Sequence, residues 1–302
     1  MRILLATDTS SCSQAAIESV KRMQYGVNDE IKVVTVIDLF EPLLAVHQAK
    51  AVEQAELYVQ SVATSIQENL PDCKVSASAL VGYPDQVINE TAVGFKADLI
   101  VMGSHGRTGL TRFFWGSISR AVLMDSPCAV RIVKMAPPAD PSRRVLVALD
   151  EAQSTQDTGY IMEHVLAASW PAGTEFKCIT VLNEKQRHIF VDSALSSGLA
   201  VQDAEVMLKV CSALQERVEQ LNLAFGKAAS TFEILKGDSR VEILSKASEW
   251  CADMIVVGTH GHRSFDDVVF GSVADAVSSH APCSVEIVRH RAMKQSKMHI
   301  IV

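Results

Sequence analysis

Residues 101–119 read VMGSHGRTGLTRFFWGSIS. They continue an apolar run, Ala97 to Met102, whose length and composition predict a buried parallel strand. They end at Gly116-Ser117, where a new helix is expected to start. Two residues separate Gly103 from Gly106, and nine separate Gly106 from Gly116. Glycine at a strand exit lets backbone come close to a ligand, because no Cβ intervenes. A helix N-terminus adds unpaired N–H groups and the positive end of a dipole, and both suit phosphate. One such pattern would be a weak signal, but the chain carries it twice. Residues 256–274, VVGTHGHRSFDDVVFGSVA, repeat the spacing with Gly258, Gly261, Gly271 and Ser272.

The repetition extends well beyond the glycines. Gly82 pairs with Gly237, Asp98 with Asp253, Gly103 with Gly258 and Pro127-Cys128 with Pro282-Cys283, all at an offset of 155. Nearer the start the offset is smaller: 142 for Asp8 and Asp150, 145 for Thr35-Val36 and Thr180-Val181. A period of about half the chain is too long for a solenoid and indicates a duplicated domain.

Each copy alternates strand and helix signals. In the first, strands are expected over Arg2–Thr7, Ile31–Ile37, Val75–Val81, Ala97–Met102 and Cys128–Lys134. Helices fall over Ala15–Met23, 47–69, from Pro84 to Phe95, and over Ser117–Met124. Gly82-Tyr83-Pro84-Asp85 reads as a turn that places proline in a first helical turn. The second copy has strands over Arg144–Ala148, Glu175–Val181, Ser230–Leu235, Asp253–Val257 and Cys283–Val288. Its helices are expected over Gln153–Ser169, within 203–224, from a capping box Ser239-x-x-Glu242, and over Ser272–Ser279. Three prolines make 135–143 a linker, the ten extra residues of the second copy fall in 183–205, and a basic tail ends in HIIV.

Strands alternating with helices require parallel pairing, right-handed crossovers and helices on both faces. The expected fold is therefore α/β, two tandem repeats of an open five-stranded parallel sheet. The domains are drawn as 1–135 and 144–290, joined by a linker at 136–143 and followed by a tail at 291–302. Ligands of such sheets bind beyond the carboxyl ends of strands, where strand order reverses. Asp8, after strand one, and the glycine motif, after strand four, both lie at that edge.

Composition narrows the function. The 302 residues are 48% hydrophobic and 21% charged, as in a globular protein, and the net charge of −7 argues against nucleic-acid binding. No apolar run approaches the ~18 residues of a membrane helix. The start, MRILLATD, lacks the longer apolar region of a signal peptide. Seven cysteines without a C-x-x-C pair read as reduced, mostly buried thiols, and the expected location is the cytoplasm.

Together these features resemble the universal stress protein family, in particular its tandem two-domain members with a Rossmann-like, adenine nucleotide alpha hydrolase-like fold. The family's nucleotide-binding pattern G-2x-G-9x-G-(S/T) stands as Gly103, Gly106, Gly116, Ser117 and again as Gly258, Gly261, Gly271, Ser272. The resemblance implies ATP, ADP or AMP as ligand; Mg²⁺ bridging the phosphates belongs to the slow-ATPase alternative below. It places Asp8, Val36, Met102 and Gly103 toward adenine and ribose. Toward the phosphates it places Gly106, Arg107 and Gly116, Ser117, Ile118 and Ser119, and Ala6, Thr7 and His105 complete the cofactor-binding set of this copy. The second-copy counterparts are Asp150, Val181, Gly258, His260, Gly261, Gly271 and Ser272. It also implies an internal pseudo-dimer through the last strands, further homodimer formation and an unidentified protein partner.

The copies differ in charge. Residues 103–119 hold Arg107 and Arg112 and no acid, whereas 258–274 hold Arg263 against Asp266 and Asp267. Each close charge pair is worth ~1 kcal/mol even in water, so a triphosphate should prefer the first copy. Ala274 replaces Ser119, and His262 replaces Arg107.

Other readings of these residues stand beside this one. The glycines could serve turns that need positive φ, and Asp8 and Asp150 could cap the following helices. His260, His262 and His280 invite a zinc reading, but no nearby cysteine completes four ligands, so no metal is expected. No Gly-Lys-Ser/Thr follows the glycines, and no G-x-S-x-G, kinase signature or H-E-x-x-H occurs. Related adenylyl-transferring enzymes carry a His-Ile-Gly-His type signature near strand one, where this chain has ATDTSSCS (residues 6–13). No catalytic residue is assigned. The expected function is ATP binding in a regulatory stress-response module, with a slow Mg-dependent ATPase and a nucleotide-free partner-binding scaffold as alternatives.

Overall fold

Short β-branched and apolar runs form the strands, and the segments with helical spacing between them form the crossovers. The structure, a computed structural model, describes residues 1–38, 44–105, 116–134, 143–151, 155–168, 170–182, 199–226, 230–259 and 270–289. The linker at 136–142, most of the insertion (183–198) and the tail at 291–302 lie outside the described residues. The first copy runs β1 (Arg2–Ala6), α1 (Ser11–Lys21), β2 (Glu30–Asp38), α2 (Leu44–Asn69), β3 (Lys74–Gly82), α3 (Pro84–Phe95), β4 (Leu99–Gly103), α4 (Ser117–Asp125) and β5 (Ala129–Val133). The second runs β6 (Arg144–Ala148), α5 (Thr155–Ala167), β7 (Glu175–Leu182), α6 (Leu199–Phe225), β8 (Ser230–Lys236), α7 (Ser239–Glu249), β9 (Met254–Gly258), α8 (Ser272–His280) and β10 (Ser284–Val288).

The chain divides into two units, one of Met1–Pro138 with Val288–Val302 and the other of Ala139–Ile287. In the first unit the strand order is β3-β2-β1-β4-β5, with every neighbouring pair parallel. In the second copy the order is β8-β7-β6-β9-β10, with β7–β8, β6–β7 and β6–β9 parallel. The expected α/β architecture is therefore present in both copies. In the first, the pleat sends Ile3, Leu5, Ile31, Val33 and Val101 to one face, where they form a single cluster with α1 and α2. Leu4 and Ile100 point to the other face and are equally buried. There α3 packs on β1 and β2, and α4 packs on α3.

Helix starts follow cap chemistry more closely than apolar spacing. α1 begins at Ser11, four residues before the spacing does, because Ser10 caps it by accepting the Ser13 N–H. α3 has Pro84 in its first turn and ends at Lys96, which is left-handed with φ 55°. The expected capping box of α7 is displaced by one residue. Asp238, not Ser239, is the N-cap, and its side chain accepts the Arg240 N–H. The Arg240 guanidinium also grips both oxygens of Asp238 at 2.9 and 2.6 Å, which holds that carboxyl at about 2. α6 starts at Leu199 and so absorbs the end of the insertion.

The four motif glycines among the described residues do not serve positive-φ turns: Gly103, Gly116, Gly258 and Gly271 are absent from the left-handed residues, unlike Gly82 and Gly237 at φ 155° and 146°. At Gly103 the missing side chain has another use. A Cβ there would lie 2.7 Å from the carbonyl carbon of Cys12, so the glycine admits the first turn of α1 against β4. At Gly258 the same atom would meet only the end of the Ile161 side chain, at 3.1 Å. Gly103→Ala is therefore expected to destabilise the first unit by about 1–3 kcal/mol, as overpacking does. Gly258→Ala should cost less than half as much, and urea unfolding of the two variants checks the difference.

Candidate functional site

The strand order reverses beside β1: the chain leaves β1 for β2 on one side, and β4 arrives on the other. The carboxyl ends of β1 and β4 therefore open a crevice between outgoing segments. Ala6 pairs with Met102 in register, and both are buried, as is Thr7, whose N–H donates to the Val34 carbonyl at 2.8 Å. Val36, further along β2, is half-buried.

Asp8 stands at the exit of β1. Its Oδ1 accepts the Ser10 N–H at 2.9 Å and the Ser13 hydroxyl at 2.6 Å, while its own N–H donates to Ser13 Oγ at 2.8 Å. Ser10, not Asp8, is the α1 cap, so Asp8 braces the cap rather than serving as one. Its Oδ2 accepts no hydrogen bond among the described residues, and Asp8 is half-buried. Tyr58 of α2 reaches the same place, its hydroxyl donating to the Asp8 carbonyl and lying 3.0 Å from Thr7 Oγ1. Burial, with the Asp8 charge adding to it, pushes the Tyr58 phenol up, so it stays protonated at neutral pH. The sequence reading missed Tyr58, because it sits in a helix whose spacing marks only a core face.

Across the crevice, the end of β4 is fastened to the start of α4. The Gly116 N–H donates to the Ser104 carbonyl at 3.0 Å. The buried Ser119 hydroxyl donates to the Gly103 and Ser104 carbonyls at 3.0 and 3.3 Å. The Ser119 hydroxyl thus fastens the strand end to the helix from inside. Gly116 caps α4 in an extended conformation, with no side-chain cap bond and no acid in the first turn. Among the described residues no side chain caps the leading N–H groups of α4, and Ser117 and Ile118 are exposed beside them. His105 places Nδ1 3.0 Å from the Ser104 hydroxyl, and its carbonyl accepts Ser10 Oγ at 3.3 Å. Burial and the Lys134 charge hold the His105 imidazole below its usual range, so it is neutral at pH 7. Gly106, Arg107, Arg112, His260, Gly261, His262, Arg263, Asp266 and Asp267 lie outside the described residues.

The second copy repeats the clasp, with the Gly271 N–H donating to the Thr259 carbonyl at 2.9 Å and α8 opening on Gly271 without a side-chain cap. Ser272 is exposed there, and Asp150 follows β6 as Asp8 follows β1. Val181 of β7 is buried. Two differences are visible. Asp275 sits in the first turn of α8, at the position where α4 has Arg120. A comparison of the motifs that stops at 119 and 274 misses this reversal by one residue. The exit of β6 is also braced differently: Arg217 of α6 pairs with the buried Glu151 at 2.9 Å. That pair sits beside Cys178, whose thiol burial pushes up to about 12.

A buried ion pair broken on one side leaves a charge without compensation. Arg217→Met is expected to destabilise the second unit by about 3–5 kcal/mol. Adding Glu151→Gln should restore a good part of that loss, and a double-mutant cycle in urea measures the coupling.

Two doubly wound domains in one chain, each with an uncapped helix start at its switch point, define a tandem α/β protein. The profile of the universal stress protein family matches residues 1–134 and 141–289, and the chain belongs to that family. Universal stress protein MJ0577 of Methanocaldococcus jannaschii is 31% identical over 152 residues, which span 44% of this chain and 94% of that protein. A solved universal stress protein of Archaeoglobus fulgidus covers 96% of both chains at 24% identity with a TM-score of 0.64. A universal stress protein solved in complex with cAMP is 20% identical, with a TM-score of 0.35 over 44% of this chain and 95% of that one.

Proposed function

We propose that this chain binds an adenine nucleotide, ATP first, through its N-terminal domain, and acts as a regulatory stress-response module in the cytoplasm. The observation that carries the reading is the pairing of two features at one sheet edge. Among the described residues, Asp8 keeps one carboxylate oxygen without a partner beyond β1, and α4 starts beyond β4 with no side chain capping its leading amides. The first suits the hydroxyls of a ribose, and the second suits a phosphate. A helix N-terminus favours a nearby anion by about 0.3–1 kcal/mol at an exposed site. Asp275 opposes an anion at α8, so the N-terminal site is the stronger one. On this reading the domains are 1–135 and 144–290. Nucleotide would regulate by binding one conformation better than another, since only differential affinity shifts an equilibrium.

Calorimetric titration of the whole chain with ATP tests this. Binding is expected, with Gly116→Val abolishing it and Gly271→Val changing it little. The reverse pattern would overturn the ranking of sites, and the absence of heat with the unaltered chain would remove the reading. Phosphate release above background during the same incubation would make the protein an ATPase instead.

A further inference from the structure

Asp8 is held from two sides at once. From α1, the Ser10 N–H and the Ser13 hydroxyl occupy Oδ1 of its carboxylate. From α2, the Tyr58 hydroxyl donates to its carbonyl and shares the Thr7 hydroxyl, which itself lies 3.2 Å from the Asp8 carbonyl. The Tyr58 ring packs against the buried cluster beneath the sheet, so only the phenol oxygen reaches the strand exit. This arrangement fixes both the backbone and the carboxylate of one residue and leaves a single oxygen, Oδ2, without a partner among the described residues. The hydroxyl of a tyrosine rooted in the core is not needed to fill space. Its effect is on where Asp8 points.

We infer that Tyr58 is a positioning residue for the sugar end of the nucleotide site: it holds the Asp8 main chain so that Oδ2 is presented to a pair of vicinal hydroxyls. The inference rests on the nucleotide reading above and adds to it a residue outside the glycine motif. A fixed acceptor binds more tightly than one that must be ordered on binding. Among the described residues the second copy has no tyrosine at the matching place. In the register that matches buried Val59 with Leu214 and Ile66 with Leu221, Tyr58 falls on Ala213. There the strand exit is held instead by Arg217 and Glu151, through the side chain one residue beyond Asp150. Positioning by a tyrosine is therefore argued for the first copy.

The test compares ATP with 2′,3′-dideoxy-ATP on the full chain by calorimetry, together with the thermal midpoint. The unaltered protein is expected to prefer ATP, and Asp8→Asn to erase the preference. Tyr58→Phe keeps the ring in the core, so the midpoint should move little. It should weaken ATP by about three- to tenfold, the worth of one hydrogen bond, while changing dideoxy-ATP by less than about twofold. Equal weakening of both ligands, or an unchanged ratio, would mean that Tyr58 supports the fold only and would overturn the inference. Equal affinity of the unaltered protein for the two ligands would overturn it as well, leaving nucleotide binding intact. Binding of neither ligand would remove the nucleotide reading itself.

Discussion

The site depends on one clasp, the hydrogen bond from the Gly116 N–H to the Ser104 carbonyl at 3.0 Å. It joins the last residue of a strand exit to the cap of the following helix and so fixes where the α4 amides point. Ser119 strengthens the clasp from inside, because its buried hydroxyl spans the Gly103 and Ser104 carbonyls. Gly103 then lets α1 pack against the same strand end. Three elements of different sequence position converge there for steric and hydrogen-bonding reasons, before any ligand is considered. A glycine cap without a competing side chain leaves the helix start chemically open.

The duplication shows which parts of this arrangement are architecture and which are chemistry. Both copies keep the strand order, the clasp and the uncapped glycine, within 0.1 Å in the clasp distance (3.0 and 2.9 Å). They part in the side chains around the two strand exits. Ser119 becomes Ala274, Arg120 becomes Asp275, and Tyr58 gives way to the Arg217–Glu151 pair. A fold that tolerates such exchange separates scaffold from site, as α/β sheets commonly do. The stronger electrostatic case for an anion lies in the first copy.

Most of the fold could be read from the sequence, because its strands are short apolar runs and its glycines repeat at a constant offset. Strand ends fell within a residue or two. Helix starts were less legible: Ser10 and Asp238 cap their helices by local hydrogen bonds that apolar spacing does not report. The demand that the structure places on Gly103 is the close approach of α1, which no local pattern encodes. The bonds of the Ser119 hydroxyl to the Gly103 and Ser104 carbonyls were likewise not legible in the spacing. Tyr58 and Arg217 escaped notice because each acts across a long sequence separation, from the middle of a helix onto a strand exit.

The clasp has a consequence for how such a protein can change. Because Ser104 and Gly116 are bonded to each other, the eleven residues between them form a span whose two ends are already joined by the scaffold. The same holds for Thr259 and Gly271, which enclose a span of equal length and opposite charge balance. The position of each helix start is thus set by a bond within the scaffold itself, and two spans of one length carry different charges in the two halves, Arg107 and Arg112 in one, Arg263 with Asp266 and Asp267 in the other.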